Sequence, residues 1–250
     1  MNHSVAASIL DLSVRELLER LGSSDPAPGG GAAAAVAGAL GAALVQMTAN
    51  LSIGRPKLAA VEAQARQIEA QATDLRRRLA ELGDADAQAY KQVSTAYKLP
   101  RHTLAQDTGR PPAAQGIERQ QPAQNIEQQA TAQNTERSMA IQAALREAAA
   151  VPLDTARLCA DVLELAEVAA PLLNPSVISD VMVGALLAHA ALESAALNVE
   201  VNLAAMTDVS TAEQLQLEID RARSGSAERL ARILDTARSR LSLIKPVSKR

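Results

Sequence analysis

An all-α fold, an up-and-down bundle of long helices, is the expectation for this 250-residue sequence, and three observations carry it. Ala, Leu, Glu, Gln and Arg dominate, and all five are good helix formers. Apolar residues recur at helical spacing through long segments, with strand-like alternation nearly absent. Gly, Pro and Asn-Pro stand at wide intervals and cut the pattern into long pieces joined by short links, the grammar of a helix bundle.

The elements follow in order. Ser13 with Glu16 forms a capping box, and Leu12 with Leu17 a hydrophobic staple, for a first helix that Gly22 stops. Ser23-Ser24-Asp25-Pro26-Ala27-Pro28-Gly29-Gly30-Gly31 then opens a helix of almost only small residues, which runs to about Ile53 and Gly54. Its Ala34, Gly38 and Ala42 lie at spacing four and permit close approach of another helix. Pro56 marks the start of a third helix through Leu58, Val61, Ile68, Leu75, Leu79 and Leu82, ended by Gly83. Asp84 caps a fourth, which reaches Leu99-Pro100.

Residues 101–135 differ. A nine-residue unit repeats from Ile117 and again from Ile126. At about 100° per residue, nine residues turn a helix by a net half turn, so no apolar stripe forms. With Pro111, Pro112 and Pro122 nearby, this reads as a flexible, low-complexity insertion made by tandem duplication, within one helical domain spanning 1–250. Helix resumes at about Glu136, is kinked or broken at Val151-Pro152, and ends before the Asn174-Pro175 turn. Ser176 or Ser179 caps a long helix through Leu203. Ser210 with Glu213 caps a final one that runs to about Leu243.

Composition excludes several functions. Net charge is −3 and the only aromatic residues are Tyr90 and Tyr97, so neither an electrostatic pull toward nucleic acid nor a base-stacking platform exists. Cys159 is the lone cysteine and His3, His102 and His189 are scattered, which argues against a disulfide framework or a metal centre. His189 reads as a satisfied core histidine. Residues 32–51 raise a transmembrane question, but Gln46, Thr48 and Asn50 favour a buried core helix, so no membrane is expected. The lone cysteine and the lack of a signal-like start point to the cytoplasm. The glycine loop is no P-loop, because Ala32 and Ala33 replace Lys-Ser/Thr, and it follows a helix rather than a strand.

Polar side chains interrupt apolar helices in a few places. Asp25 lies in the Gly-Pro loop; Asp86 and Tyr90 share a face at i, i+4; Asp180 begins an apolar run; Asn198 and Asn202 are again i, i+4. A glycine run opening a helix leaves free N–H groups, a place for an anion or a polar ligand edge. A carboxylate in an apolar wall has its pKa raised and can exchange protons near neutrality. Each residue also has a purely structural role open to it: turn, dipole partner, inter-helix staple. Together with Gly29, Gly30 and Gly31 they suggest a site between helices. Lys57, beside Arg55, is placed to meet a carboxylate tail on a substrate, or is a plain surface charge.

The blocks Ser13-Val-Arg-Glu-Leu-Leu, Ser24 to Gly31, Gly38 to Leu44, Asn50 to Gly54, Asp84 to Tyr90, Tyr97 to Pro100, Ala149 to Leu153, Asn174-Pro175, Ser179-Asp180 and Asn198 to Leu203 resemble the cyclodeaminase/cyclohydrolase family of folate enzymes. The likeness covers about residues 12–100 and 136–210. This chain departs from the family in a longer 101–135 link, in Leu173 before Asn174, in Tyr90 where Phe is commoner, and in Ala32 where Ser is usual. The resemblance implies a helical bundle, a homodimer, and action on the one-carbon bridge of tetrahydrofolate with no metal or redox cofactor. Asp180, Asp25 and Asp86 would be the catalytic carboxylates; Gly29, Gly30, Gly31, Lys57, Tyr90, Asn198 and Asn202 would hold substrate. Methenyltetrahydrofolate cyclohydrolase is the leading reading, since no formiminotransferase is fused here. Formiminotetrahydrofolate cyclodeaminase is the second, and an inactive helical interaction protein the third.

Overall fold

A computed structural model describes residues 8–101 and 120–242, with backbone alone for 120–130 and 242. Seven α-helices and no strands occur among the described residues: α1 (Val14–Leu21), α2 (Gly30–Asn50), α3 (Glu62–Lys98), α4 (Gln120–Leu172), α5 (Ile178–Ala204), α6 (Val209–Arg223) and α7 (Ser226–Ser242). Each of α2 to α5 runs antiparallel to the next, and α2 closes the ring against α5. The up-and-down bundle expected from the sequence is therefore observed. The α6–α7 pair packs outside α4 and α5. It is fastened by Arg223 to Glu193 and Glu200 and by Arg229 and Arg232 to Glu167.

The core is built from small residues at close approach. An added Cβ on Gly38 would lie 2.7 Å from Cys159 Sγ, and one on Gly41 2.7 Å from the Gly184 carbonyl oxygen. Dense packing at that distance supplies dispersion contacts that a core without Phe or Trp otherwise lacks. The Ala34, Gly38, Ala42 stripe is thus consumed inside the bundle, with Ala34 and Ala42 buried. Burial pushes the Cys159 thiol to about 12, so it is a packing residue.

Helix ends follow local chemistry where neighbours do not intervene. Ser13 and Glu16 make the full capping box on α1, and Gly22 is its C-cap. Several expectations fail. Gly83 does not end a helix: an added Cβ there would meet Ile9 Cδ1 at 2.3 Å, so it is a packing slot, and α3 runs unbroken past it. Asp84 is accordingly no cap for a fourth helix. It accepts from the Ser8 hydroxyl and, at 2.7 Å, from the Ile9 N–H, tying down the short 3-10 turn Ile9–Asp11.

Neither Ser176 nor Ser179 caps α5; Asn174 Oδ1 accepts from the Ser176 N–H at 3.1 Å and opens the 3-10 turn before it. Asp208 rather than Ser210 caps α6, accepting from the Thr211 N–H. The final helical stretch is two helices, because Gly225 takes φ 71, a left-handed angle that glycine adopts at no steric cost. The α4 helix begins at Gln120, well before Glu136, and it continues through Pro152. Ala, Gln and Glu propagate a helix already nucleated by packing without needing an apolar stripe, and residues 131–136 are all exposed. Residues 102–119 of the repeat region lie outside the described residues.

Candidate active site

Where α2 begins and α5 ends, a cavity of about 300 Å3 is lined by Gly29, Gly30, Gly31, Asp86, Asn198 and Asn202, with Pro26, Ala27, Ala89, Tyr90, Val93, Ala148 and Val201 completing its walls. Four chain segments distant in sequence converge here.

The floor is the start of α2. Gly29 precedes the helix in an extended conformation without a side-chain cap. The first N–H groups of a helix have no acceptor within it. The Asp86 carboxylate reaches across from α3 toward that of Ala32. The approach is so close that an added Cβ on Gly31 would fall 2.1 Å from Asp86 Oδ1. Gly31 is therefore required by Asp86, and Asp86 places a negative charge on the positive end of the α2 dipole. Burial is the largest influence on this carboxyl and raises its pKa, while the Ala32 N–H pulls it down. The result is a carboxyl poised above the ordinary Asp range in a partly dry wall. Tyr90, one turn further along α3, stands at the mouth and is 43% exposed.

The opposite wall is the last turns of α5, and its geometry begins with Pro152. Proline has no N–H, so the Ala148 carbonyl of α4 loses its helical donor. Asn202 Nδ2 supplies one, donating to Ala148 O at 2.9 Å and to Asn198 O at 2.8 Å. Asn198 Nδ2 likewise donates to Ser194 O at 2.8 Å and lies 3.7 Å from the Cβ position of Gly30. Asn202 thereby uses both of its amide hydrogens on backbone, whereas Asn198 uses one and keeps one. No donor among the described residues reaches either Oδ1. The cavity wall thus offers two amide oxygens, a carboxylate and one remaining Asn198 N–H, above the N–H groups of Gly30 and Gly31. It suits a flat ligand with a donor edge, a carbonyl and positive charge.

Seven of the ten residues singled out from the sequence line this cavity: Gly29, Gly30, Gly31, Asp86, Tyr90, Asn198 and Asn202. Three do not. Asp25 is exposed beside Pro26, its N–H donating to Ser23 Oγ at 3.0 Å, which makes it a turn residue at the rim. Lys57 lies in the 3-10 turn Pro56–Val61, past the far end of α2, a helix about 30 Å long at 1.5 Å per residue. Asp180 begins α5, and the 18 positions to Asn198 put it about 27 Å away along the axis. A single cleft within one chain does not gather all ten. His189 is not the satisfied core histidine expected, since its buried Nε2 has no hydrogen-bond partner.

Sequence reasoning missed the apolar walls Ala89, Val93, Ala148 and Val201, and the Ala148 carbonyl. A proline inside an apolar helix was the signal, because it frees a carbonyl that some side chain must satisfy. A larger groove of about 700 Å3 lies between α3 and α4, lined by Gln64, Gln67, Gln71, Asp74, Asp161 and Glu164 around Ile68, Leu75, Leu165 and Val168. It has no helix terminus and no donor–acceptor convergence, and its polar groups sit on solvent-facing turns.

The cavity residues fall within matched regions. The formiminotransferase-cyclodeaminase family model matches residues 13–123 and 118–221. A methenyltetrahydrofolate cyclohydrolase of Methylorubrum extorquens is 37% identical over 92% of this chain and 98% of its own length. The formimidoyltransferase-cyclodeaminase of Rattus norvegicus is 30% identical over 80% of this chain, which spans only 32% of that longer protein. The crystal structure of formiminotetrahydrofolate cyclodeaminase from Thermotoga maritima superposes with a TM-score of 0.74 at 24% identity, covering 92% of this chain and 98% of that one, a likeness of fold. Bundle, loop and acceptor-walled cavity occur together in a sequence matched almost end to end: this chain belongs to the formiminotransferase-cyclodeaminase family.

Proposed function

We propose that the chain is a methenyltetrahydrofolate cyclohydrolase, adding water to the cationic carbon that bridges N5 and N10 and opening it to 10-formyltetrahydrofolate. The observation that carries this reading is the end-to-end match to a free-standing cyclohydrolase, where the bifunctional relatives match over a third of their length. The cavity suits the chemistry. A pterin presents an N–H edge to Asn198 and Asn202 Oδ1 and its carbonyl to the Gly30 and Gly31 N–H groups. The methenyl cation then lies toward Asp86, whose carboxylate stabilises it.

Water attacks the bridge carbon as Asp86 accepts one of its protons, giving a neutral carbinol. The carbon–N5 bond then breaks, the carbinol O–H proton leaves, N5 takes up a proton, and one proton is released overall. A carboxyl lifted by burial holds and returns that proton near neutrality. No cofactor enters this scheme, and the reaction is placed in the cytoplasm, where a lone unpaired cysteine persists. The working unit is a homodimer.

A second reading uses the same cavity: attack of N10 on a 5-formimino group with loss of ammonia. The 30% identity to the rat enzyme favours it. Purified protein offered methenyl- and formimino-tetrahydrofolate separately tests both. Loss of the methenyl absorbance with the first substrate is the expected outcome. Appearance of that absorbance and of ammonia with the second assigns the alternative.

A further inference from the structure

Helix α1 buries none of its residues. Val14, Leu17, Leu18 and Leu21 recur at spacings of three and four and form an apolar stripe along one side. Val14 and Leu18 are 75% and 64% exposed. A helix this short gains little from backbone hydrogen bonds alone, and docking of its apolar side normally stabilises it. Here the Ser13–Glu16 capping box holds the helix together, and the stripe stays uncovered.

The tethers of α1 say what it covers. Ile9 fills the slot at Gly83, and Asp84 accepts from the Ser8 hydroxyl and the Ile9 N–H. Asp86 reaches toward the first turn of α2. Gly83 and Asp86 are three positions apart on α3, about 4.5 Å along its axis. Residues 10–28 therefore leave α3 and return to it at nearly one place, a strap with α1 at its crown. Gly83, Asp86 and Tyr90, at i, i+3 and i+7, share one face of α3, so the strap stands beside the cavity mouth. Between Gly22, the C-cap of α1, and Pro26 of the cavity wall lie Ser23, Ser24 and Asp25, all exposed. At no more than ~3.6 Å per residue, the end of α1 stays within about 14 Å of that wall.

The cavity has room for such a cover. Pockets that enclose most of a drug-sized ligand run from about 300 to 1,000 Å3, and this one holds about 300 Å3. It takes the pterin end of a folate and leaves the aminobenzoyl ring and glutamate outside, with Tyr90 on one side of the ring and water on the other. The α1 stripe matches that remainder. It is apolar along its middle, and Arg15 and Arg20 lie about 110° to either side of it. Neither arginine forms an ion pair among the described residues.

We infer that α1 is the cover of this cavity: with folate bound, the strap turns about Leu12–Ser13 and Gly22–Asp25, Val14 and Leu18 close on the aminobenzoyl ring and Tyr90, and the flanking arginines meet the glutamate carboxylates. The inference rests on the functional reading above. Closure takes the ring out of water and fixes the methenyl carbon near Asp86.

Thiol alkylation tests this. Cys159 is buried with its thiol pushed up to about 12, so a cysteine placed on α1 is the one reactive thiol. Leu18→Cys puts it on the stripe and Glu19→Cys on the opposite side. Each variant is treated with iodoacetamide, alone and with 5-formyltetrahydrofolate at a concentration that calorimetry shows to saturate it. Leu18→Cys should react readily alone and about tenfold more slowly with folate, as a thiol does on burial, while Glu19→Cys keeps its rate. An unchanged Leu18→Cys rate with folate bound, or equal slowing at both positions, overturns the inference and leaves the functional reading standing. Slow reaction of Leu18→Cys without folate that dilution relieves assigns the stripe to a second copy and also overturns it. Wild-type protein that binds no folate overturns both. In turnover, Leu18→Asp should raise KM about tenfold, the scale for burying one leucine side chain. The melting temperature of the free protein should not change, because the side chain replaced is exposed; an unchanged KM contradicts the cover.

Discussion

The two ends of the α2–α5 pair each hold asparagines against the ends of helices, and they use them differently. At the far end Asn174 is buried and closed: its N–H donates to Ser52 Oγ at 2.9 Å, its Nδ2 to Leu51 O at 3.2 Å, and its Oδ1 accepts from Ser176. At the loop end both Asn198 and Asn202 donate to backbone carbonyls, and their oxygens and one Asn198 N–H have no partner among the described residues, beside a cavity. A closed network fixes two helices. A half-open one fixes the wall and leaves groups for a ligand. Buried polar residues alone do not mark a site; unspent hydrogen-bonding capacity does.

The largest effect that separates the ends is expected at Asp86. Asp86→Asn keeps the shape and an acceptor for the Ala32 N–H, so the fold should persist while turnover falls about a hundredfold or more. Rates from loss of methenyl absorbance, with circular dichroism for the fold, check this. Wild-type activity should also show an acid limb above the ordinary Asp range, because burial raises this pKa. The sign for stability follows. The folded state holds the Asp86 proton more tightly than the unfolded state, so this residue's contribution falls as pH rises from the ordinary value through the raised one. Melting curves of wild type minus Asp86→Asn across that window should slope downward; a flat difference removes the shift.

Gly31→Ala comes next. Its methyl would occupy the Asp86 carboxylate's place, so either α3 shifts or the carboxylate swings out, and activity and melting temperature should fall together. Gly30→Ala has 3.7 Å to its nearest neighbour and should fold normally, with any loss confined to KM.

Much of this was legible in the sequence. The Ser13–Glu16 box and the Gly22 stop depend on a few consecutive residues, and they read correctly. Gly83 did not, because its packing partner Ile9 lies 74 positions earlier. The choice of Asp208 over Ser210 as cap turned on two residues of register between two adequate acceptors. For the site, glycine run, Asp86, Tyr90 and the asparagine pair stood out as polar or flexible residues in apolar surroundings. Asp25, Lys57 and Asp180 matched that description equally well. Sequence pattern records that a side chain is polar, but not whether it stands 27 Å away at the other end of the same helix.

Smaller, and specific to stability, is the link from Pro152. Asn202→Ala leaves the buried Ala148 carbonyl without a donor, a cost of about 1–3 kcal/mol by thermal or urea unfolding. Adding Pro152→Ala restores a backbone N–H to that carbonyl and should recover most of the stability without recovering substrate affinity. Recovery of both would make Asn202 a staple like Asn174.

The contrast between the ends is tested most directly by calorimetric titration of 5-formyltetrahydrofolate, a stable folate, into wild type, Asn198→Ala and Asn174→Ala. Asn198→Ala should bind about tenfold more weakly or worse, the equivalent of about 1.4 kcal/mol, at unchanged melting temperature. Asn174→Ala should melt lower, by about 1–3 kcal/mol of stability, and bind with wild-type affinity. Equal loss of affinity in both variants, or wild-type affinity in Asn198→Ala, would contradict the assignment of the open end as the binding site.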